Sequence, residues 1–381
     1  MISLRKSFRF ITMIPGYLRI HKEAVLVDAH CDTTLRLLDS NFNIVNRYSD
    51  GHFDIPRALE GGVDVVFFAI FVPDYEDPVR AYKEGLRQIE AIHLAVKRNS
   101  DKAGLAPSYD DITTLISQGR LAVMIAMENC NPIGENIDSI DVFYKSGVRV
   151  ICPQRVKADY AFDIAYHQRW GKQGLSDFEK MLINEMNKRR IIVDISHLSK
   201  KAKWEVLEMS SFPVIASHIG CERFCKTIYR NLDDEMIRAV AQKGGVINVF
   251  FCPELLSQEF RNKYIEIIYK IRPQLKKIRE IYDNEWGFLK ELRKSLLKEN
   301  ISLPDVNIVI DHIEYIINLV GIDYVGIGSD FDGVIFPPIG LEDVSKLPIL
   351  TRLFLERGYR KEDIAKILGG NMLRVIAESK I

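Results

Sequence analysis

Six side chains able to hold a metal ion or move a proton stand where apolar segments of this chain end. His30 closes VLVDAH and Asp32 lies two residues on; Glu128 closes LAVMIAME, His197 closes IIVDISH, His218 closes VIASH and Asp330 closes YVGIGSD. In extended chain, residues two apart face the same side, so His30 and Asp32 can reach one ion together. Imidazole and carboxylate suit Zn²⁺. His197 and His218 could hold a second ion, and Glu128, with two oxygens, could bridge the pair. A water between two such ions would be acidified to a hydroxide usable at neutral pH. Asp330 is then the candidate proton shuttle, passing that proton to a leaving amine. Gathering these groups in one buried place without metal or partners would be costly, which argues against chance.

For six groups so far apart in sequence to meet, the segments ending in them must converge. Eight apolar runs fall at 24–30, 63–72, 121–128, 148–153, 191–197, 214–218, 246–250 and 324–330. Each is nearly continuous in apolar character, as strands buried on both faces are. Amphipathic helical patterns at 137–145, 178–188, 233–242 and 308–319 lie between them. The alternation predicts a (β/α)8 TIM-type barrel, one domain over 1–381, whose strands deliver their C-terminal ends to one mouth. A charged stretch at 253–305, with helical spacing at 260–271 and 286–297, reads as a helical insertion after the seventh strand. Residues 341–381 read as extra C-terminal helices, with a break at Gly369-Gly370.

Lys+Arg and Asp+Glu both number 52, so nothing in the overall balance points to nucleic acid or an anionic membrane. No stretch reaches the ~18 apolar residues of a membrane span. The first 20 residues, with Arg5, Lys6, Arg9 and Arg19, read as a basic arm or first helix rather than a signal sequence. The six cysteines have no zinc-knuckle or redox spacing, and reduced thiols in a cytoplasmic protein are expected. His52, His93 and His312 read as satisfied structural residues, and His21 and His167 as surface ones. Asp28 and Asp194 lie inside strands and read as hydrogen-bond acceptors behind the site.

The chain resembles the membrane (renal-type) dipeptidase family of zinc peptidases, within the amidohydrolase-like barrels. The resemblance covers about 25–374 and is carried by DAHCDT, HFDIPRALEGGV, GLSDF, INEMNKRRIIVDISHLS, PVIASH, YRNLDDEMI, YVGIGSDFDG, LEDVSKLP and GGNMLRV. It implies two zinc ions per chain, one on His30, Asp32 and Glu128, the other on Glu128, His197 and His218, with Glu128 bridging. It implies Asp330 as catalytic acid/base and Arg230, in YRNLDD, as clamp for the substrate's terminal carboxylate, a task that suits the guanidinium fork. It also suggests a homodimer. The chain departs from the family's pattern around the metals. The substrate-contacting His after the fourth strand falls on Arg155, the small residues after the bridging Glu are Asn129-Cys130, and the Ser after the sixth-strand His is Ile219.

The expected function is therefore zinc-dependent hydrolysis of a dipeptide with a free C-terminal carboxylate, through a metal-bridging hydroxide, with Arg230 and Arg155 contacting the substrate. The alternative is a repurposed binuclear-zinc amidohydrolase acting on another amide, a lactam or an ester. A non-catalytic barrel protein is the reading from another class, and the intact ligand set argues against it.

Overall fold

The computed structural model describes residues 15–73, 75, 77–154, 173–226, 230–282, 284–299 and 301–381. Among them, nine strands form one parallel sheet: β1 (Leu26–Cys31), β2 (Val63–Ile70), β3 (Ala103–Leu105), β4 (Leu121–Met127), β5 (Val148–Ile151), β6 (Ile192–Val193), β7 (Ile215–Ile219), β8 (Val246–Val249) and β9 (Val325–Ile327). They run in the order β6-β5-β4-β2-β1-β9-β8-β7, with β3 beside β4. The two ends of that order meet through a parallel bridge between Asp194 and Ile215, and Ile195 N–H donates to the Ile215 carbonyl at 2.8 Å. Eight strands thus close on themselves, as the apolar runs predict. β3 went unread because three residues, one of them Gly104, carry too little apolar pattern; a Cβ at Gly104 would stand 2.4 Å from Leu115 Cδ2.

The strands alternate between two cores. Val27, Ala29, Val65, Phe67, Ala122 and Met124 share one cluster with Met372, Val375 and Ile376 of the helix Asn371–Ser379. The intervening residues, Leu26, Val66, Phe68, Val123 and Ile125, pack in a second cluster with the surrounding helices. The first cluster is the barrel interior, covered at its base by the C-terminal helix; the second is the layer between barrel and helices. Sequence-local caps start those helices. Ser176 and Glu179 form a capping box on Asp177–Arg189, and Asp233 accepts from Met236 N–H at the start of Asp234–Gln242. No described helix is long and apolar enough to cross a membrane.

After β8, the seventh barrel strand, come the helices Pro253–Leu256, Gln258–Ile281 and Glu285–Leu297. The two longer ones share a small apolar core of their own, which also takes in Ile335 and Phe336. Residues 366–370 bulge into a π-helical turn, where Gly369 lies so close to β1 that a Cβ would be 2.5 Å from the Val25 carbonyl. His21, expected on the surface, is buried instead. Its ring nitrogens contact Thr351 Oγ1 at 2.7 Å and the Gly61 carbonyl at 2.8 Å, tying the first described helix to the helix Pro348–Glu356 and to the turn before β2.

His312 is structural, as expected. Its Nδ1 accepts from Cys221 N–H at 2.9 Å, so Nε2 carries the hydrogen that reaches the Leu256 carbonyl at 3.0 Å. Burial lowers its pKa to about 4. Between pH 6.5 and 4 the unfolded chain therefore binds a proton that the folded chain refuses, and stability falls as pH falls. Going from pH 7 to pH 5 should cost about 2 kcal/mol through this residue. Thermal melts at the two pH values should show a smaller acid drop for His312→Gln than for the wild type; equal drops would contradict the assignment.

Candidate metal centre

The six residues picked out at the strand ends meet at the C-terminal mouth. His30 lies in β1 and Asp32 just past it; Glu128 follows β4, His197 follows β6, His218 lies in β7 and Asp330 follows β9. Regular alternation does not aim all of them. The pairing register breaks in β1 between Asp28 and Cys31, and in β7 between Ala216 and Ile219. Such irregularities turn side chains at the rims of barrels.

The His30 and His218 rings stack with centroids 3.6 Å apart. His197 Nε2 lies 2.8 Å from His218 Nε2 and 2.9 Å from Glu128 Oε1. His30 Nε2 lies 3.7 Å from Glu128 Oε2 and 3.5 Å from Asp32 Oδ2. Glu128 therefore offers one oxygen to each side. Ligand atoms of His30, Glu128 and His218 fall within 4.8 Å of one another, as do those of His30, Asp32 and Asp330. His30 Nε2 and Asp32 Oδ1 are buried with no hydrogen-bond partner, a costly arrangement for atoms that do nothing else. Lone pairs from imidazole and carboxylate converging in this way fit metal ions, and the residues present fit that role.

A carboxylate–serine relay stands behind the imidazoles. Ser217 Oγ donates to Asp194 Oδ2 at 2.5 Å, so towards the rings it accepts. It lies 2.7 Å from His218 Nδ1 and 3.4 Å from His30 Nδ1. With hydrogen on Nδ1, each ring turns the lone pair of Nε2 into the mouth, the tautomer a metal needs. Asp194 also accepts from the N–H groups of Ser196 and Ser217 and from Ser196 Oγ. Asp28 accepts from Ser329 N–H at 2.8 Å and Ser329 Oγ at 2.6 Å, joining β1 to the loop that carries Asp330. Both aspartates act behind the site, as expected. Ser196 and Ser217 went unread at the level of sequence, although each sits directly before a histidine.

The charges are uneven. Burial, and then Glu128 beside it, pushes the Asp32 carboxyl well above the usual range; burial and Asp32 do the same to Asp330. Burial also works against Glu128, but His197, His30 and Arg230 outweigh it and hold its pKa at about 2. Burial and then Arg230 bring His197 down to about 4, and burial with His30 puts His218 well below its ordinary value. Both rings are thus neutral at pH 7. Arg230 reaches this centre: its guanidinium bonds to the Ser196 carbonyl, and Nη2 lies 3.2 Å from His197 Nε2. Its own carbonyl accepts from the buried Lys203 Nζ at 2.8 Å. Asn129 and Ile219 are fully buried beside Glu128 and His218. Arg155 lies outside the described residues.

The family model described as membrane dipeptidase, peptidase family M19, matches residues 17–380. Dipeptidase verJ of Clonostachys rogersoniana is 30% identical over 335 residues, covering 85% of this chain and 75% of that protein. Dipeptidase tcpJ of Claviceps purpurea is 28% identical over 336 residues, 86% of this chain and 69% of that one. Among solved structures, the probable dipeptidase PvdM from Pseudomonas aeruginosa superposes with a TM-score of 0.78 at 22% identity, over 96% of this chain and 97% of that chain. A metallo peptidase from Rhodobacter sphaeroides, liganded with a phosphinate mimic of the dipeptide L-Ala-D-Ala, gives 0.75 at 22%, over 93% and 99%. At these identities the two structures establish the fold.

Ser217→Ala removes the acceptor for both Nδ1 groups and leaves every candidate ligand in place. Chelator-competition titration should show metal held about 10–100-fold more weakly than in the wild type. Unchanged affinity would mean that the relay does not set the rings.

Proposed function

Because the chain belongs to the membrane dipeptidase family of metallopeptidases, and is thus a hydrolase acting on peptide bonds, we propose that it is a zinc-dependent dipeptidase. It cleaves dipeptides with a free C-terminal carboxylate and uses two Zn²⁺ ions, one on His30, Asp32 and Glu128 and one on Glu128, His197 and His218. The observation that carries this reading is Glu128, with one carboxylate oxygen turned to His197 and the other to His30. When bound there, zinc supplies Lewis acidity towards a carbonyl and a lowered pKa for water.

The rest of the chemistry belongs to the chain's own groups. Asp330, in hydrogen-bonding reach of Asp32, stands where a carboxyl group can take a proton from the attacking water and return it to the departing amine nitrogen. One water is consumed, the C–N bond breaks, and a carboxylate and an amine leave. Arg230 at the rim of the centre offers a guanidinium to the terminal carboxylate of the substrate, a charge-assisted pairing that orients the peptide bond. A substrate longer by one residue would lack its carboxylate at this position. All six cysteines are free and buried, which supports a reducing, cytoplasmic setting.

A panel of L,L- and L,D-dipeptides scored by amine release, with metal analysis on the same preparation, tests the reading. About two zinc per chain and turnover of at least one dipeptide are expected. Zinc-loaded protein inert towards the whole panel would sink it. Asp330→Asn should lower kcat by about 100-fold or more. Arg230→Met should chiefly raise KM for dipeptides; an unchanged KM would remove its role as clamp.

A further inference from the structure

The turn that carries Asp330 is held in an unfavourable shape. Asp330 and Asp332 have φ of +62° and +67°, in the left-handed region that non-glycine residues seldom occupy. The turn's own bonds are few: Gly333 N–H and Val334 N–H both donate to the Asp330 carbonyl, at 3.1 and 2.8 Å. A Cβ at Gly333 would come within 2.1 Å of Asp32 Oδ2 and 2.4 Å of Asp330 Oδ1, so the turn lies directly against the carboxyl groups of the site. Such a conformation persists only where its surroundings over-determine it.

Those surroundings lead to the helical hairpin. The buried Asp332 carboxylate accepts from Thr33 Oγ1 at 2.7 Å, His52 N–H at 2.6 Å and Arg36 Nη1 at 3.4 Å. In return, Asp332 N–H donates to His52 Nδ1 at 3.0 Å, closing a two-way pair that requires a neutral imidazole. Burial and the nearby cations Arg293, Arg36 and Arg57 keep that ring neutral. On the hairpin, Trp286, Lys290 and Arg293 sit at i, i+4 and i+7 of the helix Glu285–Leu297 and so share one face. Trp286 lies 4.9 Å from the Arg36 guanidinium, Lys290 bonds to Asp50 at 3.2 Å, and Arg293 Nη1 stands 3.4 Å from His52 Nε2. Arg36, only 2% exposed, binds both Asp50 and Asp332. Beyond the turn, Ile335 and Phe336 enter the hairpin's own core.

We infer that this face of the hairpin, acting through Arg36 and His52 on Asp332, is a positioning clamp that fixes the Asp330 turn. Asp332, His52 and Arg36 are positioning residues, and the hairpin is a working part of the active site, not an appendage to it. The inference rests on the reading of Asp330 as the proton shuttle. A shuttle displaced by about 1 Å can lose on the order of 100-fold in rate while substrate binding is kept.

Two measurements on the zinc-loaded, full-length protein test it, using Trp286→Ala, Arg293→Met and the conservative Arg293→Lys, none of which touches a candidate ligand. Amide hydrogen exchange, read by mass spectrometry, should rise about tenfold in peptides spanning 329–336 for the first two variants, with exchange in β2 and β4 unchanged. With L-Ala-L-Ala, the same two variants should lose about tenfold or more in kcat with KM within twofold and zinc content unchanged, and Arg293→Lys should recover most of that loss. Unchanged exchange over 329–336 overturns the clamp whether or not the protein cleaves dipeptides. Raised exchange with unchanged kcat overturns the link to Asp330. Loss of zinc or of β2 and β4 protection in parallel with activity would make the contacts merely structural, and would overturn it too. A wild type that cleaves no dipeptide defeats the functional reading alone, because the exchange measurement stands apart from it.

Discussion

Three carboxyl groups, Asp32, Glu128 and Asp330, occupy one buried mouth, and their mutual repulsion in a medium that screens little is the constraint the rest of the structure answers. Burial and like charge raise Asp32 and Asp330, whereas Glu128 stays ionised because His197, His30 and Arg230 face it. Ser217 turns the rings of His30 and His218, so that their Nε2 lone pairs face the mouth. The result is a pocket with more acceptors than donors. It suits positive ions on one side, and in the proposed function Arg230 meets the carboxylate end of a substrate on the other. The same excess of acceptors explains why so much of the surrounding polarity is spent on fixing orientation.

The parts of this design that were readable in the sequence are those tied to local pattern. Continuous apolar runs announced the eight barrel strands because strands covered on both faces leave no polar alternation. A His, Asp or Glu closing five of them, at His30, Glu128, His197, His218 and Asp330, announced the site, because strand ends in such a barrel share one mouth. What escaped depends on contacts between distant segments. His21 looked like a surface residue beside Lys22 and Glu23, yet it is buried against Thr351. Arg36, in a short polar-looking stretch, gave no hint that aromatic rings and two carboxylates would enclose it. His30 and Asp32 do stand together, yet alternation alone does not bring them there, since the register breaks just there.

The surroundings of the centre divide into a rigid side and an added side. Asp28, Asp194 and the serines lie in or beside barrel strands, and their bonds link neighbouring strands as well as ligands. On the other side the loop 36–52, the turn at 330–334 and the hairpin lean on one another, with Asp332 in the middle. Chemistry that varies among relatives on a common barrel is expected on such added pieces, since loops and insertions can change while strand ends stay fixed. Asn129 and Ile219 are of a different kind: both are fully buried beside the candidate ligands. They pack against the centre itself, whereas the hairpin acts on it from outside.

The helix Asn371–Ser379 covers the base of the barrel, where Met372, Val375 and Ile376 join the interior side chains of β1, β2 and β4. Those strands come from the first third of the chain and the helix from its far end, so the interior is completed only by contacts of very long sequence separation. Such contacts form slowly, because the loop they close is large. Until they form, the base of the barrel interior lacks its cover. The order of the centre at the top of the barrel thus rests on a helix at the opposite end that carries none of the candidate ligands.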